Sequence, residues 1–471
     1  MNQKDRLEKI ERIVNRTDKE DLLSQEIMWE GNLKTFKVYN IPLEYLIYNK
    51  YNGRILSRTK SLERQNYLIN VEDEKGKALI EKLLWDSKED RNRKTLNSLK
   101  KFGQQKVGII TRDGVIIDGN RRAMLLNKLD RTSYFKAIVL EVTIEEEPTQ
   151  IEKLETTYQM GEDEKLGYNS TEKYLKAKQI YERLIENHSE EDSKSQIADW
   201  MSEPLSEIEN YLETMTVMDE YLEYLDYDGI YTQLDGREDQ FLSLRKWLKS
   251  FYGGSSRRGF DNYTDNDVDQ LKYLAFDYLR FKDKFDGKEF RYIGEGNSDR
   301  HFFGSKEIWT SFLNRHSEII RSLPEEPYLD VDSKDLDSHL NARNNLFYEQ
   351  SKLNNDESEF IENLNNHKDR IGYNKASNEP EKLVNKALQT FEAVKTNHTS
   401  FSTPEVQDLV IKLSDKVFES LINKSNKSIL THIVSLLNKI SLDDIEEEEV
   451  QAIKENFKEI QKICYKFDKA L

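Results

Sequence analysis

Short β-branched runs separated by turn signals occupy the first third of the chain, and helical spacing takes over after Pro148. The sharpest pattern lies at 107–129. Apolar runs at 107–110 and 115–117 flank Asp113-Gly114, a strong hairpin signal. The second run leads directly into Asp118-Gly119-Asn120-Arg121-Arg122. Ala123, Met124, Leu125, Leu126 and Leu129 then follow at helical spacing. Residues 37–42 read as an earlier strand and the alternating stretch 134–142 as a closing one. Residues 74–101 read as helical, with Leu79, Ile80, Leu83, Leu84 and Trp85 as the buried stripe and Arg91, Arg93, Lys94, Lys100 and Lys101 as a solvated basic face. Leu7, Ile10, Ile13 and Val14 mark residues 1–32 as an amphipathic helical arm.

Further on, residues 171–187 read as a helix capped by Thr171. Residues 195–212 read as two short helices joined near 201–204, with Ile197-Ala198 on the first and Ile208, Tyr211 and Leu212 on the second. That is the outline of a helix-turn-helix. Residues 220–320 carry aromatic-rich helical faces, interrupted by a basic glycine loop at 253–259 and a turn at 293–304. Residues 331–375, rich in Asn, Asp and Ser, read as a linker or a solvated helical pair. Residues 381–471 return to helical periodicity through Ile411, Val417, Ile429, Ile433 and Leu437. The pattern therefore predicts an α+β N-terminal domain followed by a mostly α-helical middle and C-terminal region. The expected segments are a helical arm (1–35), an α/β unit (36–145), a helix-turn-helix-like part (146–225) and two helical domains (226–330 and 331–471).

Composition narrows the function. At 471 residues the chain is too long for one compact domain. With 37% hydrophobic and 34% charged residues, no run approaches the roughly 18 apolar residues a membrane span needs. The polar start is no signal peptide, so the cytoplasm is the expected compartment. A single cysteine, Cys464, excludes a disulfide framework, and the seven histidines form no metal-ligand pair. The net charge of −17 hides an asymmetry: residues 1–140 hold 29 Lys and Arg against 20 Asp and Glu, and the rest hold 42 against 68. A basic front on an acidic body fits an anionic ligand at the front, and it makes any DNA contact local to the N-terminal domain.

The chemistry concentrates at 118–122. A strand stops at Gly119 and a helix opens with two arginines in its first turn, where free backbone N–H groups already favour an anion. Cations are normally avoided there, so Arg121 and Arg122, both expected to be exposed, point to an anionic partner. Gly119 lets that partner approach the backbone. The alternative is a solvated turn whose arginines pair with nearby carboxylates. Asp118 and Asn120 are the local candidates for holding a metal ion on a phosphate.

In the order of its elements, residues 36–145 resemble the ParB/sulfiredoxin superfamily, whose ParB-like N-terminal domains occur in DNA-modification and anti-phage systems. The strand at 37–42 is followed by LEYLIYNKYNGR, which ends at Arg54 and is similar to the family's Asn-Pro-x-x-x-Arg box without its proline. TLNSLKKFG at 95–103 matches the helix with a glycine stop, and Gln104 opens the lead into the hairpin. Gly119, Asn120, Arg121 and Arg122 fall on the family's Gly-Glu-Arg-Arg, with asparagine in place of glutamate. Sulfiredoxin carries its reactive cysteine at that position, so peroxiredoxin repair is excluded. The resemblance implies a bound CTP or ATP with Mg²⁺, held by Gly119, Asn120, Arg121, Arg122, Arg54 and Gln104. It also implies a second segment after the last strand. LETTYQMGEDEKL at 154–166 looks like a degenerate form of it, with Glu155, Gln159 and Asp163 as its polar candidates.

Three functions follow as expectations. The first is a nucleotide-binding switch acting with DNA or in anti-phage defence; Glu155 and Asp118 are its catalytic candidates if it hydrolyses, and otherwise it is a sensor. The second is a nuclease or kinase on the same fold. The third is an interaction protein that kept the fold without the chemistry. The second helix of the 195–212 pair carries Glu207 and Glu209 with no Arg or Lys beside them, which favours a helical scaffold over a DNA-reading helix. The C-terminal helices suit a homodimer or a protein partner.

Overall fold

The computed structural model describes residues 1–17, 22–129, 134–161, 169–285, 287–329, 335–352, 357–422, 426–438, 440 and 450–470. They form two compact units, 1–377 and 378–471. The first contains a five-stranded sheet in the order β1-β2-β5-β3-β4. Its strands are β1 (Ser24–Trp29), β2 (Asn32–Pro42), β3 (Gly108–Ile110), β4 (Ile116–Asp118) and β5 (Tyr134–Val139). β3 runs parallel to β5 and the other neighbours pair antiparallel. Ile47 adds a parallel bridge to Val115 beside β4.

Alternation along the strands buries both faces of this sheet. Ile41, Ile110, Ile116, Phe135 and Ala137 pack with side chains of α1 (Gln3–Arg16), α3 (Glu74–Asp86) and α5 (Asn120–Asn127). Val38, Ile109, Ile117 and Ile138 pack with Ile151 and Leu154 of α6 (Pro148–Thr156) on the other face. The arm predicted for residues 1–32 is helical only as far as Arg16, and it docks on its own domain: Ile10 is buried and Arg6 Nε donates to the Asp113 carbonyl at 3.1 Å. The rest of that stretch contains β1, turned into β2 by Glu30 and Gly31, both at positive φ. Only Ile27 and Trp29 of β1 are buried, so its alternation is short and easily missed.

The helix predicted over 74–101 is broken. Between α3 and α4 (Glu89–Phe102) the chain turns at Ser87-Lys88, and buried Asn92 closes the end of α3 by donating to the carbonyls of Leu84 (3.0 Å) and Trp85 (2.7 Å). Helix α2 (Leu56–Arg64) follows the loop that carries Arg54.

The rest of the first unit is helical. Helices α7 (Ser170–Leu184), α8 (Glu190–Met201), α9 (Leu205–Tyr224), α10 (Glu238–Phe251), α11 (Asp265–Arg280) and α12 (Lys306–Ser322) share one large aromatic core. The turn expected near 201–204 separates α8 from α9, with Ser202 in the left-handed region and Pro204 opening α9, but α9 is a 20-residue helix that runs on to Tyr224 and not the short helix expected to end at 212. The basic loop at 253–259 is folded onto this core, with the Ser256 N–H on the Tyr263 hydroxyl at 3.0 Å. Of residues 331–375, those described form α13 (Leu336–Gln350) and α14 (Glu359–Lys375). Their Leu340, Phe347, Phe360 and Leu364 are buried in the same core, so this is neither a linker nor a solvated pair. The second unit holds α15 (Pro380–Glu392), α16 (Pro404–Ile422), α17 (Asn426–Leu437) and α18 (Val450–Asp468). No helix is long and apolar enough to cross a membrane among the described residues.

Candidate functional site

Where β4 gives way to α5, Gly119 stands at φ 105° and opens the helix with no side-chain cap. An added Cβ there would lie 2.7 Å from Phe135 Cζ, so glycine is required both by conformation and by space. Beside this helix start is a cleft of about 500 Å³. It is lined by Asp118–Arg122, by Asn52 and Arg54 from the loop before α2, and by Thr95, Ser98 and Leu99 of α4. Gln105 to Val107, Tyr158 and Gln159 contribute as well.

Six of the eight candidate residues thus meet at one cleft: Asp118, Gly119, Asn120, Arg121, Arg122 and Arg54. Two do not line it. Gln104 zips its own segment to β5, donating to the carbonyls of Lys106 (2.9 Å) and Lys136 (2.8 Å) and accepting from the Lys136 N–H (2.7 Å). Glu155 is buried behind the loop at Asn49 and accepts from Asn49 Nδ2 at 3.0 Å and Gln159 Nε2 at 3.1 Å. Asp163 lies outside the described residues.

The two arginines are not exposed as expected. Arg121 is 9% exposed and its Nε donates to the side-chain carbonyl of Asn92. Arg122 donates through Nη1 to the carbonyls of Lys106 (2.6 Å) and Val107 (3.0 Å), and through Nη2 to Asp118 Oδ2 (2.5 Å). It clamps the lead into β3 against α5. Asn120 is likewise committed: its Oδ1 accepts from the Asn49 N–H at 2.9 Å and its Nδ2 donates to the Ile116 carbonyl at 3.0 Å.

These commitments fit poorly with a protein-held magnesium ion. Asn120 uses both ends of its amide internally, and Asp118 is paired with Arg122. Among the described residues, no group of three or more His, Cys, Asp or Glu side chains is placed to hold a metal.

Cations, by contrast, line the cleft: Arg54, Lys106, Arg121 and Arg122 all border it. Burial, and then the like charges of Arg91, Arg54 and Arg121, pull the Lys88 ammonium below the ordinary lysine value. Arg54, Arg91 and Arg121 are therefore near enough to Lys88, at the α3–α4 corner, to repel it.

Several residues that shape this site escaped the sequence reading. Asn49 and Asn52 fold the loop through two local turns, accepting from the N–H groups of Tyr51 (3.0 Å) and Arg54 (3.2 Å). The Asn-Lys-Tyr-Asn spacing was the available signal for it. Asn92 and Lys176 left no local signal. Lys176 of α7 is buried 3.2 Å from Glu152 and 3.6 Å from Glu155, and Arg183 lies 2.5 Å from Glu152. Burial raises the Glu155 carboxyl above the usual carboxylate range. Burial also pulls Lys176 down, but Glu155 and Glu152 outweigh it and hold the ammonium above the ordinary lysine value. Gln159, on a π-helical turn (Thr157–Gly161), joins this network to the cleft by also donating to the Ile117 carbonyl at 3.1 Å.

No family model, curated protein or solved structure matches this chain.

Proposed function

We propose that the chain binds a phosphate-bearing nucleotide, CTP or ATP, in this cleft and acts as a nucleotide-responsive switch of the ParB-like kind. On this reading it works with DNA or in an anti-phage system. The observation that carries the reading is the meeting of Arg54, Lys106 and Arg121 in the cleft beside the uncapped start of α5. Cationic side chains lining a cleft attract a polyanion, and helix N–H groups add to its binding. A cleft of about 500 Å³ falls within the usual range of small-molecule sites. Binding is favoured over turnover, because Glu155 is buried away from the cleft in a network with Lys176, and Asp118 is bound to Arg122. In this reading Arg54, Arg121 and Lys106 meet the phosphates, while Asn120 and Arg122 hold the walls.

Calorimetric titration of the full chain with CTP, ATP, GTP and ADP, with Mg²⁺ or with EDTA, tests it. The expected result is saturable binding of a triphosphate that persists in EDTA. Absence of binding by all four nucleotides overturns the proposal and leaves the interaction-protein reading. Rapid turnover that Glu155→Gln abolishes overturns the preference for a sensor.

A further inference from the structure

We propose that Glu172 of α7 is a positioning residue for the cleft, capping α2 from a distance and so fixing the backbone from which Arg54 reaches the ligand. The inference rests on the reading of the cleft as a nucleotide site. Helix α2 opens at Leu56 after Ile55, which offers no side-chain cap. The free N–H groups of its first turn therefore need an acceptor from elsewhere. Glu172, 115 residues along the chain, supplies it: Oε2 accepts from the Ser57 N–H at 2.9 Å and Oε1 from Ser57 Oγ at 2.7 Å. A carboxylate at a helix start is also favoured by the helix dipole.

Glu172 is buried, and burying a carboxylate is costly unless hydrogen bonds and a cation offset it. Arg58 of α2 is that cation, 3.3 Å from Glu172 and 2.8 Å from Asp235. The other end of the same loop is tied one turn further along α7. Lys176 lies 3.6 Å from Glu155, which accepts from Asn49 Nδ2 at 3.0 Å, and the Asn49 N–H donates to Asn120 at the start of α5 at 2.9 Å. Glu172 and Lys176 thus share one face of α7 and anchor both ends of the segment 49–57. Asn52 and Arg54, which line the cleft, stand between the anchors. A loop that leaves its binding position for part of the time lowers the apparent affinity by that fraction.

The test combines calorimetric titration of the full chain with CTP, ATP, GTP and ADP and hydrogen exchange read by mass spectrometry on peptides covering 49–57. Glu172→Ala should raise exchange in 49–57 without raising it in α11. It should also weaken the nucleotide that the wild type binds about 10-fold, as for a loop in place about a tenth of the time. Glu172→Gln keeps an oxygen for the Ser57 N–H and should show both effects to a smaller extent, so the test stands even if Glu172→Ala does not fold. Lys178→Met, on the same helix, breaks the 2.6 Å pair with Asp219 of α9 and should leave both readouts at the wild-type level. A wild type that binds none of the four nucleotides overturns the reading of the cleft and this inference with it. Nucleotide affinity that both Glu172 variants leave unchanged, or that Lys178→Met lowers equally, overturns this inference alone. So does exchange that rises throughout the chain with no excess in 49–57.

Discussion

Arg121 reaches the start of α4 through its Nε, which donates to the side-chain carbonyl of Asn92, while Asn92 spans the gap to the last carbonyls of α3. One buried amide thus connects the broken helix pair to the cleft arginine. Asn92→Ala removes all three hydrogen bonds and leaves buried carbonyls and a guanidinium short of a partner. It is expected to cost about 2–4 kcal/mol of stability, read as a lower midpoint in urea unfolding. Nucleotide affinity should fall with it, because Arg121 loses the group that orients it.

The two adjacent arginines should separate by their effect on affinity. Arg121→Ala removes a charge-assisted contact to the ligand and should weaken nucleotide binding by about 1.5–3 kcal/mol, and because it leaves the buried Asn92 side-chain carbonyl without this donor it should also cost about 1–3 kcal/mol of stability. Arg122→Ala releases the Lys106 and Val107 carbonyls and Asp118, so its main effect should be on stability. Calorimetry and thermal unfolding of both variants decide this. Equal loss of affinity with no loss of stability in Arg122→Ala would show that Arg122 binds the ligand as well.

How much of this was legible in the sequence depends on the range of the interaction. The hairpin, the glycine stop and the helix after it are local, and Asp113-Gly114 and Gly119 announced them. Six of the candidate residues meet at one cleft because they sit on that local unit or on the loop beside it. What the arginines do was not legible, since Asn92 and the Lys106 carbonyl are brought to them only by packing. Glu155 failed as a cleft residue for a similar reason. Its face of α6 is covered by α7, and nothing near 155 in sequence announces Lys176 as its neighbour. The segment 331–375 misled through composition: its Asn and Asp are many, yet Leu340, Phe347, Phe360 and Leu364 suffice to bury one side of each helix.

Gly119→Ala should be among the most damaging single changes. The residue must hold φ near 105° with a methyl group 2.7 Å from Phe135 Cζ. Together the strain and the clash should cost about 2–4 kcal/mol. Adding Phe135→Leu removes the clash but not the strain. The double variant should therefore lose less than the sum of the two single losses, by about 1 kcal/mol. Strict additivity in urea unfolding would refute the steric half of this account.

The network behind the cleft should respond to loss of its cation more than to loss of one carboxylate. Lys176→Met leaves Glu152 and Glu155 buried without their shared ammonium and should cost about 3–5 kcal/mol. Glu155→Gln keeps a hydrogen-bonding side chain at the same place, and Lys176 retains Glu152. Its cost should stay below about 1.5 kcal/mol. Unfolding midpoints for the two variants give the ranking, and a larger loss in Glu155→Gln would reverse the assignment.

Stability toward acid carries a signature of His301. Burial, and then the nearby Arg258, lower its imidazole from 6.5 to about 4. The folded state therefore refuses a proton that the unfolded chain accepts. The contribution is complete above pH 6.5 and is lost as pH falls toward 4, by at most about 3 kcal/mol. Burial raises the carboxyls of Glu155, Glu172, Asp219 and Asp235, which gives the opposite slope over the carboxylate range. The wild-type curve alone is thus a sum of opposing terms. His301→Phe removes only the histidine term, so the informative quantity is the stability of the wild type relative to that of His301→Phe, which should fall from pH 7 to pH 4.5. A difference that stays constant with pH would mean that His301 is not held neutral by the fold.

Duplex DNA should bind at α4 and not at α9. On α9, Asn210 accepts from Arg245 of α10 at 2.6 Å, and the Glu213 carboxylate takes Arg245 at 2.8 Å and Lys249 at 2.6 Å. Its polar positions are therefore answered within the helical body, and its first turn carries Glu207. Affinity for DNA comes largely from neutralising phosphates, and α9 offers them carboxylates. α4 presents Arg91, Arg93, Lys94, Lys100 and Lys101 at exposed positions on the basic half of the chain. Binding by fluorescence anisotropy on random and AT-rich duplexes should be weak, indifferent to sequence and steeply dependent on salt. Replacing Arg93, Lys94, Lys100 and Lys101 together with Ala should abolish it and flatten the salt dependence by up to about four phosphate contacts. Glu207→Gln with Glu209→Gln should leave it unchanged. Tight, sequence-selective binding that survives the α4 substitutions would restore α9 as a reading helix and refute the assignment to α4.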